Sequence, residues 1–292
     1  MTNTELFAVK ADHFDCYQIF TCGQCFRWRP EDPANAAEGW WKGIVRGRQL
    51  RVKSDRAAGL VYVSGCDRAE FDTVWREYFD LDTDYGAIGG YLSGMDEKLA
   101  AAVRYGSGIR ILRQEPFETL ISFIISANNN IPRITKCIEA LSRRFGEAIG
   151  VDDATGEVLY AFPTPEALAA ATPEQISEAT HLGYRCPYIV SAARQYIDRG
   201  GDLSDPERYT GVGPKVASCI QLFTGVNTDS FPVDVWVRRL ITELYFPGVA
   251  EPSLAEINGF IKSYFTKYGG YAQQYLFFWR RGIEKGGADN AK

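Results

Sequence analysis

The sequence predicts an α+β chain: a small N-terminal antiparallel β domain, then a mostly α-helical body. Two observations carry that expectation. Short alternating or apolar runs, cut by Gly, Pro and charged residues, fill the first third: "CFRWRP", "GWWKGIVRGRQLRVKS" and "GLVYVSG". From "RAEFDTVWREYFDLD" onward the period changes, with Phe71, Val74, Trp75 and Tyr78 recurring at helical spacing. The division expected is 1–105 for the β domain with flanking helices and 106–292 for the helical body.

The helices follow in order. "EPFETLISFIISA" is apolar enough for a core helix, and "IPRITKCIEALSRRFG" has Pro132 at its start and Gly146 at its stop. "TPEALAAA" and "TPEQISEA" each open on Thr-Pro-Glu, with Thr as cap and Pro in the first turn. "PYIVSAARQYIDRGG", "KVASCIQLF", "VDVWVRRLITELYF", "LAEINGFIKSYFTKYGG" and "YAQQYLFFWRR" complete the helices before the polar tail "GGADNAK".

Composition narrows the function. A 292-residue chain with 46% hydrophobic residues can bury a sizeable core. It contains no apolar run of membrane-spanning length, and its start lacks the basic and apolar regions of a signal peptide. An intracellular, soluble protein is expected. Seven irregularly spaced cysteines argue against a disulfide framework. Cys22 and Cys25 form a lone C-x-x-C, and the two histidines, His13 and His181, stand far apart, so no metal site is expected. The net charge of −5 excludes a wholly basic nucleic-acid binder, yet Arg133/Lys136, Arg143/Arg144, Arg238/Arg239 and Arg280/Arg281 concentrate positive charge locally.

The chemistry concentrates at "GVGPKVASCI". Gly211 and Gly213 permit a tight hairpin, and Pro214 fits a first helical turn that needs no amide donor. Free backbone N–H groups there, from Gly211, Gly213 and Val216, make a phosphate site without sequence-specific side chains. Lys215 follows at once as a candidate nucleophile. Asp234 comes 19 residues later, after the extended Phe231-Pro232-Val233, at an expected helix start. Taken alone it reads more readily as a plain helix cap.

These residues together resemble the helix–hairpin–helix DNA glycosylases, and within them the 8-oxoguanine DNA glycosylase family. "GQCFRW" (23–28), "SANNNIPRI" (126–134), "LGYRCPYI" (182–189) and "GYAQQYLFF" (270–278) match further family segments, in order along the chain. The resemblance implies a helix–hairpin–helix motif in the body, a double-stranded DNA partner carrying 8-oxoguanine opposite cytosine, a monomer, and no cofactor. It implies catalytic roles for Lys215 and Asp234. Gly23, Cys219, Gln273 and Phe277 would hold the flipped lesion: Phe277 and Cys219 on its two faces, Gln273 on its pairing edge, and the Gly23 carbonyl on the N7–H that guanine lacks. Tyr184 would be the wedge, with Asn128, Arg133 and Arg185 around the orphaned cytosine, and Trp236 would join the hairpin amides at the phosphate backbone.

Three positions differ from the family pattern. Tyr209-Thr210 stand where leucine and proline usually precede the glycines, so the first helix of the motif is expected to be curtailed or rebuilt. Trp236 replaces a frequent histidine, and Ser218 a frequent aspartate. A monofunctional alkyl-base glycosylase, which would not need Lys215, and a non-catalytic damage binder are the alternative readings.

Overall fold

The computed structural model describes residues 6–152 and 154–289. Residues 1–5 and the last three residues of the polar tail lie outside the described residues. Five antiparallel strands form the N-terminal sheet in the order β1-β5-β4-β3-β2: β1 (Phe7–Lys10), β2 (Trp28–Pro30), β3 (Trp41–Val45), β4 (Arg48–Asp55) and β5 (Leu60–Ser64). Alternation sets its inner face. Leu50 and Val52 of β4 are buried, while Arg51 and Lys53 between and beyond them are partly exposed. Opposite Gly43 of β3 lies Trp28, whose ring would be 2.4 Å from any Cβ added at the glycine. The indole instead stacks on Phe20 at 4.1 Å.

Helix α1 (Cys16–Thr21) lies between β1 and β2 and is capped by Asp15. After the sheet come two single turns, α2 (Arg68–Glu70) and α3 (Arg76–Tyr78), separated by a π-helical turn. They place Phe71, Trp75 and Phe79 under the sheet. Side-chain packing then changes over. Helices α4 (Tyr85–Ser93) and α5 (Glu97–Tyr105) bury Tyr85, Ile88, Leu92, Leu99 and Ala102 in the helical core rather than beneath the strands.

At the centre of that core is α6 (Pro116–Ser126), in which every residue from Thr119 to Ile125 is buried. Against it pack α7 (Ile131–Phe145), α10 (Arg185–Asp198) and α11 (Pro214–Thr224); α8 (Pro165–Ala170) and α9 (Pro173–Thr180) pack on α10, and α12 (Val235–Tyr245) packs on α13 (Leu254–Tyr264) and α14 (Gly269–Asp289). The Thr-Pro starts behave as the sequence predicts: Thr164 and Thr172 cap α8 and α9 through their hydroxyls. Asn130 caps α7 through its amide Oδ1, which accepts from the Arg133 amide at 3.0 Å.

Several elements escape the sequence reading. β1 and α1 are short, four and six residues, and α4 and α5 are not singled out. A small hairpin, β6 (Ala148–Val151) with β7 (Val158–Tyr160), is also missed; it is bound to the main sheet by Lys42, which donates to Asp152 at 2.5 Å. Among the described residues no helix is long and apolar enough to cross a membrane, and no cluster of His, Cys, Asp and Glu could hold a metal ion. Cys22 and Cys25 are free thiols that belong to two different hydrophobic clusters. Burial pushes the Cys22 thiol up to about 11, against the thiolate that a metal or redox role requires.

Candidate active site

The hairpin folds tightly. Gly211 has φ +87, and the Val212 amide donates back to the Tyr209 carbonyl at 3.1 Å. Only the first glycine uses the left-handed region. Gly213 has φ −101 and caps α11, with nothing within 4 Å of the space a Cβ would take. An exposed backbone at that point, followed by a helix start with unpaired amides, has the form of an anion site. Val216 contributes from that first turn, with its side chain buried in the core.

Lys215 lies in the first turn of α11 and is partly buried. Its Nζ sits 5.7 Å from the centre of the Phe123 ring on α6. One turn further on is Cys219, 4% exposed. Desolvation pushes the Cys219 thiol up to about 11; the charge of Lys215 pulls the other way, and the charge of Asp234 adds to the rise. The thiol therefore feels the charge of both groups.

Asp234 is a helix cap, accepting from the Val237 amide at 2.8 Å through Oδ1. Its Oδ2 has no hydrogen-bond partner among the described residues. Capping and catalysis are compatible here because a carboxylate has two oxygens.

Gly23 and Phe277 meet across the molecule. Gly23 ends the turn after α1 with φ +90, and a Cβ built on it would lie 3.6 Å from Phe277 and 4.0 Å from Ile131. Buried Gln24 pins this turn: its Nε2 donates to the Arg110 carbonyl at 2.8 Å, and its Oε1 accepts from the Leu112 amide at 2.8 Å. Gln273 lies one turn before Phe277 on α14, 4% exposed, its Oε1 accepting from Gln274 at 2.7 Å.

On the neighbouring surface Tyr184 is 57% exposed just before α10. Arg133 is exposed at the start of α7 and donates to the His181 carbonyl at 3.1 Å. Arg185 lies against the loop between α6 and α7. It is 6% exposed, and its Nη2 donates to the carbonyls of Ala127 and Asn128. Asn128 itself has φ +47. Trp236 is 51% exposed on α12, with the Arg239 guanidinium 5.8 Å from its ring.

Some contributors were not singled out from the sequence. Phe123 lies beneath Lys215. Arg281 lies 5.4 Å over Phe277 and donates to the Thr21 carbonyl at 3.2 Å. The i,i+4 spacing of Phe277 and Arg281 is a readable signal for that pair. Its neighbour Arg280 points elsewhere, to Glu243 at 2.9 Å. Arg27 and Glu118 make a buried pair at 3.7 Å beside a cavity of about 20 Å³. Nothing in the sequence links those two.

Comparison with known proteins covers most of the chain. Residues 6–120 match the family model described as "8-oxoguanine DNA glycosylase, N-terminal domain". Residues 121–257 match the "HhH-GPD superfamily base excision DNA repair protein". The chain belongs to the 8-oxoguanine DNA glycosylase family. It is 32% identical to the N-glycosylase/DNA lyase of Saccharomyces cerevisiae over 86% of this chain and 73% of that one. The apo crystal structure of the Clostridium acetobutylicum 8-oxoguanine glycosylase/lyase superposes with a TM-score of 0.85 at 36% identity, covering 95% of this chain and 97% of that one. The same enzyme with double-stranded DNA containing cytosine opposite 8-oxoG gives 0.84, covering 97% and 100%. An N-terminal sheet followed by a helix–hairpin–helix body is thus the family's architecture, and the chain is a DNA N-glycosylase/AP lyase of base-excision repair.

Proposed function

We propose that the chain excises 8-oxoguanine opposite cytosine in double-stranded DNA, with Lys215 as the nucleophile. The carrying observation is the placement of Lys215 in the first turn of α11, directly behind the hairpin, partly buried with its Nζ 5.7 Å from the Phe123 ring centre. The neutral Lys215 amine attacks C1′ of the damaged nucleotide, the glycosidic bond breaks, and its electron pair leaves with the base, which takes up a proton. Opening of the sugar ring gives a Schiff base between Lys215 and C1′. Loss of a C2′ proton then expels the 3′ phosphate and nicks the strand. Asp234 stabilises the positive charge that develops on the sugar.

The flipped base lies against Phe277, with Cys219 on its other face and Gln273 at its pairing edge. The Gly23 carbonyl accepts from N7–H of the lesion. Guanine presents a lone pair at N7, so the same carbonyl would repel it, a penalty of about 1–3 kcal/mol for an unpaired acceptor. Tyr184 fills the gap, Asn128 and Arg133 surround the orphaned cytosine, and Arg185 holds the loop that carries Asn128. Gly211, Gly213, Val216 and Trp236 grip the phosphate backbone. The enzyme acts as a monomer within the cell and needs no cofactor, because an amine and a carboxylate supply the chemistry. Duplexes differing only in 8-oxoguanine or guanine opposite cytosine test this reading: base release and strand nicking are expected from the first alone, and equal processing of both would exclude it.

A further inference from the structure

Helix α10 presents one continuous stripe to the hairpin. Tyr184, Tyr188, Ser191 and Gln195 follow one another at spacings of four, three and four residues, which places them on one helical face. The Tyr184 and Tyr188 rings meet edge to face, 5.8 Å apart. Gly211 packs directly on Tyr188: a Cβ at the glycine would lie 2.9–3.1 Å from the Cδ2, Cβ and Cγ of the tyrosine. The hydroxyls of Ser191 and Thr210 are 3.0 Å apart, and the Gln195 side chain accepts from the Thr210 amide at 2.8 Å.

The segment before the hairpin is shortened. Only a three-residue 3₁₀ turn, Pro206–Arg208, precedes Tyr209. The hairpin therefore takes its orientation from α10 through three consecutive side-chain contacts.

We propose that Tyr188 is a positioning residue that couples the wedge to the phosphate-gripping hairpin. Its ring touches Tyr184 on one side and Gly211 on the other, and Lys215 begins four residues beyond that glycine. Insertion of Tyr184 into the duplex moves the ring beside it and thereby sets the hairpin, so DNA wedging and placement of the nucleophile act as one event. The inference rests on the wedge and phosphate roles proposed above. Flexibility is limited at the far end of the stripe, where Gln195 and Ser191 fix Thr210.

A double-mutant cycle between Tyr184→Ala and Tyr188→Leu tests the coupling, with single-turnover base release and affinity for an 8-oxoguanine:cytosine duplex measured across a salt series. Each single variant is expected to lose about tenfold in affinity, the scale of one lost aromatic stacking contact. The double variant is expected to lose no more than about threefold beyond Tyr188→Leu, where independent roles would multiply to about a hundredfold. Tyr188→Leu should also lower the salt slope by about 0.9, one phosphate contact. Tyr188→Phe should restore both, because the ring makes the contacts. Gln195→Ala, remote from the wedge, should lower the salt slope alone, and it keeps the hairpin test available should Tyr188→Leu fail to fold. An inert Tyr184→Ala would remove the underlying wedge reading. An active wedge with multiplicative losses and an unchanged salt slope would overturn the coupling while leaving the proposed function standing.

Discussion

Arg185 donates to the carbonyl of Asn128 at 3.2 Å, and Asn128 holds a left-handed backbone at φ +47. The pair joins α10 to the loop between α6 and α7, the two segments nearest the proposed orphaned base. A non-glycine residue in that region is held there by its surroundings. Arg185 supplies the hold, its guanidinium also 4.4 Å from the Tyr184 ring.

Arg185→Ala is expected to narrow the preference for lesion:cytosine over lesion:adenine by up to about tenfold, the scale of one lost base-specific pairing, because the loop that presents Asn128 to the cytosine loses its hold, without abolishing excision. Competition between the two duplexes at fixed salt measures it. An unchanged ratio would show that the hold of Arg185 on this loop does not set the opposite-base preference.

Phe277→Ala should weaken processing of damaged DNA roughly ten- to a hundredfold, the range for loss of one stacking surface, while binding of undamaged duplex changes little. Equal losses on both duplexes would mark Phe277 as a packing residue whose removal disturbs α14.

Asp234 serves two roles that substitution can separate. Asp234→Asn keeps a good cap for α12, because asparagine caps about as well as aspartate, and removes the charge. It should retain the thermal midpoint and lose base release. Asp234→Ala should lose both, with a stability cost of about 1 kcal/mol. If the asparagine variant keeps full activity, the carboxylate is only a cap.

Glu118 gives a pH signature. Burial pushes its carboxyl up to about 7, opposed by Arg27 and reinforced by Glu115. Because the folded value lies above the unfolded one, the protonated form is favoured in the native state. That contribution is fully present below about pH 4.5 and is lost as pH rises towards 7. Wild type should therefore lose stability relative to Glu118→Gln between pH 5 and pH 8, by up to about 3 kcal/mol. Parallel thermal-unfolding curves for the two proteins across that range would contradict it.

Much of the fold was legible because period and caps are local properties. Leu50 and Val52 alternate with Arg51 and Lys53, and Thr164 and Thr172 announce their helices. β1, α1 and the β6–β7 hairpin are too short for a period to emerge, and the hairpin is tied to the sheet by a contact 110 residues apart in sequence. The proposed site was legible as residue types in order. Its supports were not: Phe123 under Lys215, Arg281 over Phe277, and Tyr188 under Gly211 are long-range contacts without a local signal, apart from the Phe277–Arg281 spacing. The inward turn of Arg185 is likewise a tertiary outcome, set by the carbonyls of Ala127 and Asn128.

The most direct test of the account is borohydride trapping on an 8-oxoguanine:cytosine duplex, followed by peptide mapping of the adduct. The account predicts one covalent protein–DNA adduct, attached through Lys215, and none from Lys215→Gln, which should still bind the lesion. An adduct mapped to another amine, or one that survives in Lys215→Gln, would contradict it.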